Sequence, residues 1–132
     1  MAKSKPQPCP CGSGDGPLYE QCCGRYISGS LTAPDALALM RSRYSAYVLE
    51  DQAYLQRTWH PRSRPELNFD QQTPCKWTGL QIVSHQQQET TATVEFVARY
   101  KLNGRAHQLH EVSKFELEDG QWFYVDGLID DR

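Results

Sequence analysis

The sequence predicts an α+β domain behind a small cysteine-rich N-terminal module. Three observations predict it. Helical periodicity is confined to residues 35–58 and strand alternation to residues 76–128, so helices precede one antiparallel meander. Asn103-Gly104 and Asp119-Gly120 stand between alternating runs and are strong hairpin signals. Four of the five cysteines fall in two tight pairs near the start, Cys9/Cys11 and Cys22/Cys23.

Composition bounds the rest. A chain of 132 residues suits one main domain with a small appendage. Hydrophobic residues at 39% and charged residues at 23% are slightly polar for a globular protein but far from a disordered composition. A formal charge of −2 gives no basic field of the kind nucleic-acid binding needs. No apolar run approaches the roughly 20 residues that span a bilayer. The basic start, Met1 to Pro6, is followed by no apolar segment, so it is not a secretory signal. A cytoplasmic protein is expected. In that reducing compartment, clustered cysteines are metal ligands or redox thiols before they are disulfides.

Residues 1–30 form the predicted module. Pro6, Pro8 and Pro10 exclude a helix or central strand. Gly12, Ser13, Gly14 and Gly16 permit a tight turn whose backbone N–H groups point at sulfur. Leu18 to Cys23 reads as one helical turn delivering the second pair, with Gly24 as its C-cap. The segment has few core formers beyond Leu18, Tyr19, Tyr26 and Ile27, too few to fold unaided. A bound metal would supply the deficit, on the order of 10 kcal/mol for structural zinc. Four cysteine sulfurs suit a tetrahedral soft-metal site, with zinc the usual occupant and no open position for catalysis. A disulfide pair and free redox thiols are the competing readings. The adjacency of Cys22 and Cys23 and the reducing compartment oppose the first.

Residues 31–132 form the predicted body. Thr32 and Asp35 precede an apolar-periodic run, with Pro34 in the first turn, which is a helix-start signature. Leu37, Met40, Tyr44, Tyr47 and Val48 make one face of that helix, ending near Glu50, with Arg41 and Arg43 on the other side. Asp51 caps a shorter helix through about Thr58, with Ala53, Tyr54 and Leu55 buried, and Pro61 stops it. Residues 61–75, with Pro61, Pro65 and Pro74, are a loop. Strands follow at about Lys76–Gln86, Glu89–Leu102, Arg105–Glu118 and Gln121–Leu128. In the third strand Leu109, Glu111, Ser113 and Phe115 share a face. Such a mixed face either lines a concave cavity or forms a solvated sheet surface.

The residues also resemble known families. Cys9-Pro10-Cys11-Gly12-Ser13-Gly14 followed by Cys22-Cys23-Gly24 resembles the SEC-C motif, the zinc-binding module found at the C-terminus of the SecA translocation ATPase. SecA-type copies carry lysines after the Gly-Ser-Gly, where this chain has Asp15, Gly16, Pro17 and Glu20. Several runs resemble bacterial YchJ-type proteins, whose N-terminus carries the same motif. They are Arg43-Tyr44-Ser45-Ala46-Tyr47, Thr58-Trp59-His60-Pro61, Glu95-Phe96-Val97-Ala98, Glu111-x-Ser113-x-Phe115 and Gly120-x-Trp122-x-Tyr124-x-Asp126-Gly127. That resemblance implies a cone similar to nuclear transport factor 2, a curved antiparallel sheet wrapped round helices. It implies a pocket and no particular reaction, because relatives of that fold include isomerases, dehydratases, cyclases and non-enzymatic binders.

Pocket candidates follow. His60, beside Trp59, would lie near the mouth of such a cone, and with Glu95 or Glu111 in reach it could do acid–base work. Otherwise it closes a loop through a backbone hydrogen bond. Glu95 either faces the pocket or pairs across strands with Arg99, Arg105 or Lys114. Ser113 and Trp59 complete the candidates. His107 and His110 point opposite ways along one strand and are not a metal pair. His85 sits at an exposed turn. Cys75 reads as a small apolar residue before a strand. No phosphate loop, nucleotide fingerprint or hydrolase triad appears.

Three functions remain. One is a zinc-stapled protein whose pocket binds a partner or small ligand. Another is an acid–base enzyme in the cone, with His60, Glu95 and Glu111. The last is a SecA-like adaptor for translocation or the ribosome, which needs a basic patch around residues 9–25. A second copy of the chain is also open as a partner.

Overall fold

The computed structural model describes residues 9–11, 19, 22–64 and 76–130, apart from the side chains of 129 and 130. The glycine turn at 12–16, residues 65–75 with Pro65 and Pro74, and Cys75 lie outside the described residues. Three helices come first: α1 (Cys23–Ile27), α2 (Ala36–Val48) and α3 (Gln52–Arg57). Four strands follow: β1 (Lys76–Gln87), β2 (Thr91–Leu102), β3 (Arg105–Glu118) and β4 (Gln121–Asp130). They form one antiparallel sheet in the order β1-β2-β3-β4.

The start of the chain differs from expectation. A helix begins at Cys23, so Gly24 is its second residue and not a C-cap, while Leu18, Glu20 and Gln21 of the expected turn lie outside the described residues. A Cβ at Gly24 would lie 2.7 Å from the Tyr19 carbonyl oxygen, so glycine lets the Tyr19 segment cross the helix start. The left-handed residue that ends the helix is Gly29, at φ +89°.

The body helices start where their caps dictate. The Asp35 carboxylate accepts from the Ala38 N–H at 2.7 Å, and Asp51 accepts from the Tyr54 N–H at 3.0 Å. Asp35, rather than Thr32, is therefore the N-cap of α2, and Pro34 stands just outside the helix.

The expected one-sided face of α2 is not what forms. Ala36, Leu39, Met40, Ser42, Arg43, Tyr44, Ser45 and Ala46 are all buried, which covers the helix nearly all round. It packs against α1 and α3 as well as β1, β2 and β4. A helix enclosed in this way has no need of a solvent face. Its buried hydroxyls are satisfied locally: Ser42 donates to the Leu39 carbonyl at 2.8 Å and lies 2.7 Å from the Tyr54 hydroxyl.

The hairpins form as their turn residues require. Asn103 and Gly104 take φ 53° and 79°, and Asp119 and Gly120 take 53° and 80°, which is the positive-φ pair of a type I′ turn. Register then fixes the faces. Val94 pairs with Ser113, Phe96 with Glu111 and Ala98 with Leu109, so these side chains share the face turned toward α2. Register shifts at Trp77/Gly79, Ile82/Ser84 and Lys114/Phe115 are bulges that bend the sheet into its curve. One buried cluster runs from Cys9, Cys11, Cys23 and Ile27 through Leu39 and Leu55 to Val94, Phe96 and Phe115. After α3 the backbone docks on β4. Tyr124 donates to the Thr58 carbonyl at 2.9 Å, and the His60 N–H donates to the Tyr124 carbonyl at 2.7 Å.

Candidate functional site

Two sites emerge, and α2 supports both. The first is the cysteine cluster. The sulfurs of Cys9, Cys11, Cys22 and Cys23 all lie within 4.8 Å of one another. Cys11 and Cys22 are 3.7 Å apart and Cys22 and Cys23 3.9 Å, far beyond a disulfide bond of about 2.05 Å. All four are free thiols, and three are buried. Ser45 on α2, fully buried, places its hydroxyl 3.5 Å from Cys9 Sγ and ties the cluster to the body.

The electrostatics of the cluster are compatible with a cation. Hydrogen bonds from Cys11 and then Cys23 hold the Cys9 thiol far below its ordinary range. The bond to Cys23 pulls Cys11 down, but its contact with Cys9, burial and the charge of Cys9 push it up to about 12. Cys23 is driven well above its range by Cys11 and Cys9, then by burial. The Cys9 thiolate forms readily while Cys11 and Cys23 resist, a resistance that a cation among the sulfurs would offset. The donor set and spacing fit a metal ion.

The second site is a cavity of about 180 Å³ between α2 and the concave face of the sheet. Its walls include Tyr44, Tyr47, Trp77, Phe96 and Leu109, and its polar floor is Arg43, Glu111, Ser113 and Tyr124. Ser113 donates to Glu111 Oε2 at 2.5 Å and the Tyr124 hydroxyl donates to the same oxygen at 3.3 Å. Burial, then the Glu111 charge, holds the Tyr124 phenol above its ordinary range, which keeps it a neutral donor. Arg43 Nη1 donates to the Leu55 carbonyl at 2.9 Å and to Thr58 Oγ1 at 2.7 Å. Its guanidinium lies 4.4 Å from the Tyr124 ring centre and 5.1 Å from that of Trp59. Burial lowers the Arg43 pKa, while Tyr47, Tyr124, Tyr54 and Glu111 oppose that shift.

A larger cleft of about 350 Å³ runs beside α1, between Tyr26, Thr32 and Trp122. No carboxylate, imidazole or thiol lines it among the described residues. Its Arg57 is tied to the Tyr26 and Ile27 carbonyls at 3.2 and 3.0 Å. Of these two, the cavity beneath α2 is the one that brings a carboxylate and a guanidinium together.

The expected pocket residues divide. Glu111 and Ser113 line the cavity. Trp59 packs edge-on to Tyr124 at 4.7 Å and over Arg43, next to the lining rather than in it, and its buried indole N–H has no acceptor among the described residues. Glu95 lies on the other face of β2. There it pairs with His110 Nε2 at 2.7 Å and accepts from Ser84 at 3.2 Å, so its partner is neither Arg99, Arg105 nor Lys114. His60 does not approach Glu95 or Glu111. Its Nδ1 accepts the Arg62 N–H at 3.0 Å, which leaves the proton on Nε2 to bond Glu118. Arg62 pairs with Glu116 beside it at 2.7 Å.

Arg43 and Tyr124 are the site residues that sequence reasoning missed. The signal was there for Arg43, which stands three after Met40 and four before Tyr47, on their helical face.

Residues 35–127 match the family described as YchJ, middle NTF2-like domain. A UPF0225 protein of Methylibium petroleiphilum is 50% identical over 98% of this chain and 93% of its own length. One from Bordetella parapertussis is 53% identical over 96% of each. Among solved structures, a SEC-C motif containing protein from Rhodopseudomonas palustris superposes with a TM-score of 0.82 at 33% identity, over 93% of this chain and 98% of that one. Another, from Psychrobacter arcticus, gives 0.76 at 28% identity over 94% and 83%.

Proposed function

The chain belongs to the YchJ-type family, with its SEC-C motif and NTF2-like domain, and from that premise we propose that it is a cytoplasmic, zinc-stapled ligand-binding protein. In this reading residues 1–30 are a zinc module held by Cys9, Cys11, Cys22 and Cys23, and residues 31–132 are a cone that binds a small ligand. The observation that carries it is the cavity floor. A carboxylate, a guanidinium and two hydroxyls meet inside an otherwise aromatic and aliphatic cavity.

The zinc assignment is supported by spacing. Tetrahedral zinc–sulfur bonds of about 2.3 Å require sulfurs about 3.8 Å apart, close to the 3.7 and 3.9 Å of two of the pairs. A closed set of four sulfurs makes the ion structural. Among the described residues no helix is long and apolar enough to cross a membrane.

Elemental analysis of protein purified without chelator tests the metal, with about one equivalent of zinc expected and less than about half refuting it. A thermal-shift screen tests the pocket. A ligand at about 100 times its Kd stabilises by about 2.7 kcal/mol, and that gain should vanish when Leu109→Arg fills the cavity.

A second reading is favoured by one contact. Glu111 with the neutral Tyr124 donor beside it is an acid–base pair of the kind an isomerase, dehydratase or cyclase uses. Here Glu111 would be the base, without His60 or Glu95. Turnover lost in Glu111→Gln while ligand binding persists would select it. The translocation or ribosome adaptor reading would act through residues 9–25, where Asp15 and Glu20 weigh against the basic surface it needs.

A further inference from the structure

Two opposite charges share the cone cavity without forming an ion pair. The contacts of a carboxylate with an arginine or histidine nitrogen within 4 Å among the described residues are His60–Glu118, Arg62–Glu116 and His110–Glu95, and they include neither Arg43 nor Glu111. Tyr124 stands between the two, its ring under the guanidinium and its hydroxyl on the carboxylate. The cavity is thus electrically balanced as a whole. An ionic ligand would leave one uncompensated charge in a partly buried site, which is unfavourable, whereas a neutral ligand keeps the balance.

The same two groups offer complementary hydrogen bonding from one floor. Glu111 is acceptor only, and Arg43, hydrogen-bonded to the cavity residue Tyr47, is donor only. The walls favour a flat ring. Trp77 meets Tyr44 and Tyr47 with ring centres 6.1 and 5.9 Å away, and all three line the space. Size sets the limit. The cavity of about 180 Å³ is slightly larger than an engineered apolar cavity of about 150 Å³ that holds benzene. It is well under the roughly 300 Å³ at which drug-sized pockets begin.

Building on the small-ligand reading above, we propose that the cavity recognises an uncharged, planar heteroaromatic molecule of one or two rings. One edge of that molecule carries an N–H donor beside a C=O acceptor. The N–H goes to Glu111 and the carbonyl to the Arg43–Tyr47 pair. A ligand lacking that edge forgoes both of these hydrogen bonds while still displacing water from the floor, which is how a polar site disfavours an apolar isostere.

Four probes of similar size test this on the full-length, metal-loaded protein by amide NMR titration at neutral pH. They are 2-pyridone, benzoate, benzylammonium and toluene. 2-Pyridone should bind at least about tenfold more tightly than each of the others, with shifts centred on β3 and β4. Glu111→Gln should weaken 2-pyridone by about tenfold and strengthen benzoate, because the variant cavity carries a net positive charge. The selectivity of the unmodified protein decides the matter should that variant fold poorly. Tighter binding of benzoate or benzylammonium overturns the neutral-ligand inference and leaves a ligand pocket standing. Equal binding of toluene overturns the donor–acceptor edge. Absence of any probe-dependent shift overturns this inference together with the pocket reading.

Discussion

Gly127→Ala isolates the cavity floor with one methyl group. Gly127 lies opposite Ser113 in the β3–β4 register, and its backbone is not in the left-handed region, so alanine brings no strain of its own. Its Cβ would fall 2.5 Å from Glu111 Cδ and 2.8 Å from the Tyr124 hydroxyl, with Glu111 Oε2 nearer still. The carboxylate must swing away, and both of its hydrogen bonds break. Glu111 is half-buried and regains water, but Ser113 is fully buried and loses its acceptor. A buried hydroxyl left unsatisfied costs about 1–3 kcal/mol, so a net loss of about 2 kcal/mol is expected. For a domain of this size that lowers Tm by roughly 6–10 °C. Urea denaturation followed by circular dichroism measures it, in a cycle with Glu111→Ala. Once the carboxylate is gone only the Tyr124 hydroxyl, at 2.8 Å, still crowds the methyl, and Gly127→Ala should then cost at least about 1 kcal/mol less than in the unmodified protein. An equal cost in both backgrounds, or none in the unmodified protein, refutes the proposed contact between Gly127 and the floor.

Other outcomes follow from the same structure. Removing the metal with a chelator should lower Tm and make four further thiols reactive toward a thiol reagent, those of Cys9, Cys11, Cys22 and Cys23. Unchanged thiol reactivity would exclude the cluster as the site. Gly24→Ala puts a methyl 2.7 Å from the Tyr19 carbonyl oxygen, a backbone atom that cannot turn aside. A loss of about 1–3 kcal/mol and faster metal release to a chelator are expected, and unchanged release rates would refute the role of the close approach. Burial pushes Tyr44 up to about 12 and raises Tyr47, Tyr54 and Tyr124 as well. Unfolded tyrosine ionises near pH 10. The folded state therefore holds these protons longer, and its stability is complete below about pH 10 and declines as pH rises toward 12. Urea midpoints that stay level from about pH 9 to 11.5 would contradict this.

Much of the fold was legible because the physics that sets it is local. Type I′ turns need two positive-φ residues, and Asn103-Gly104 and Asp119-Gly120 supply them, so the second, third and fourth strands were placed almost to the residue. Asp35 and Asp51 mark helix starts because a cap bonds an N–H three residues away. The cysteine pairs were legible because four soft ligands in a short, core-poor segment have few other uses. Gly24 was misread because the atom it makes room for belongs to a chain crossing at Tyr19, which no cap pattern reports.

The candidate site was legible only in part. Period-two alternation grouped Leu109, Glu111, Ser113 and Phe115 on one face, and that grouping holds. Which face of the sheet encloses a cavity depends on the side against which α2 packs, and on that choice Glu111 enters the floor while Glu95 stays outside with His110. The burial of Arg43 depends on a whole tertiary ring: Leu55 and Thr58 from α3, Tyr124 from β4, and the cysteine module closing the far side of α2. The sequence alone determined the order of elements, their turns and caps and the cluster of sulfurs, because each is decided by neighbours within a few residues. The tertiary structure alone decided where charge is buried, because most partners that offset the cost of burying the Arg43 guanidinium, Leu55, Thr58 and Tyr124, come from other elements far along the chain.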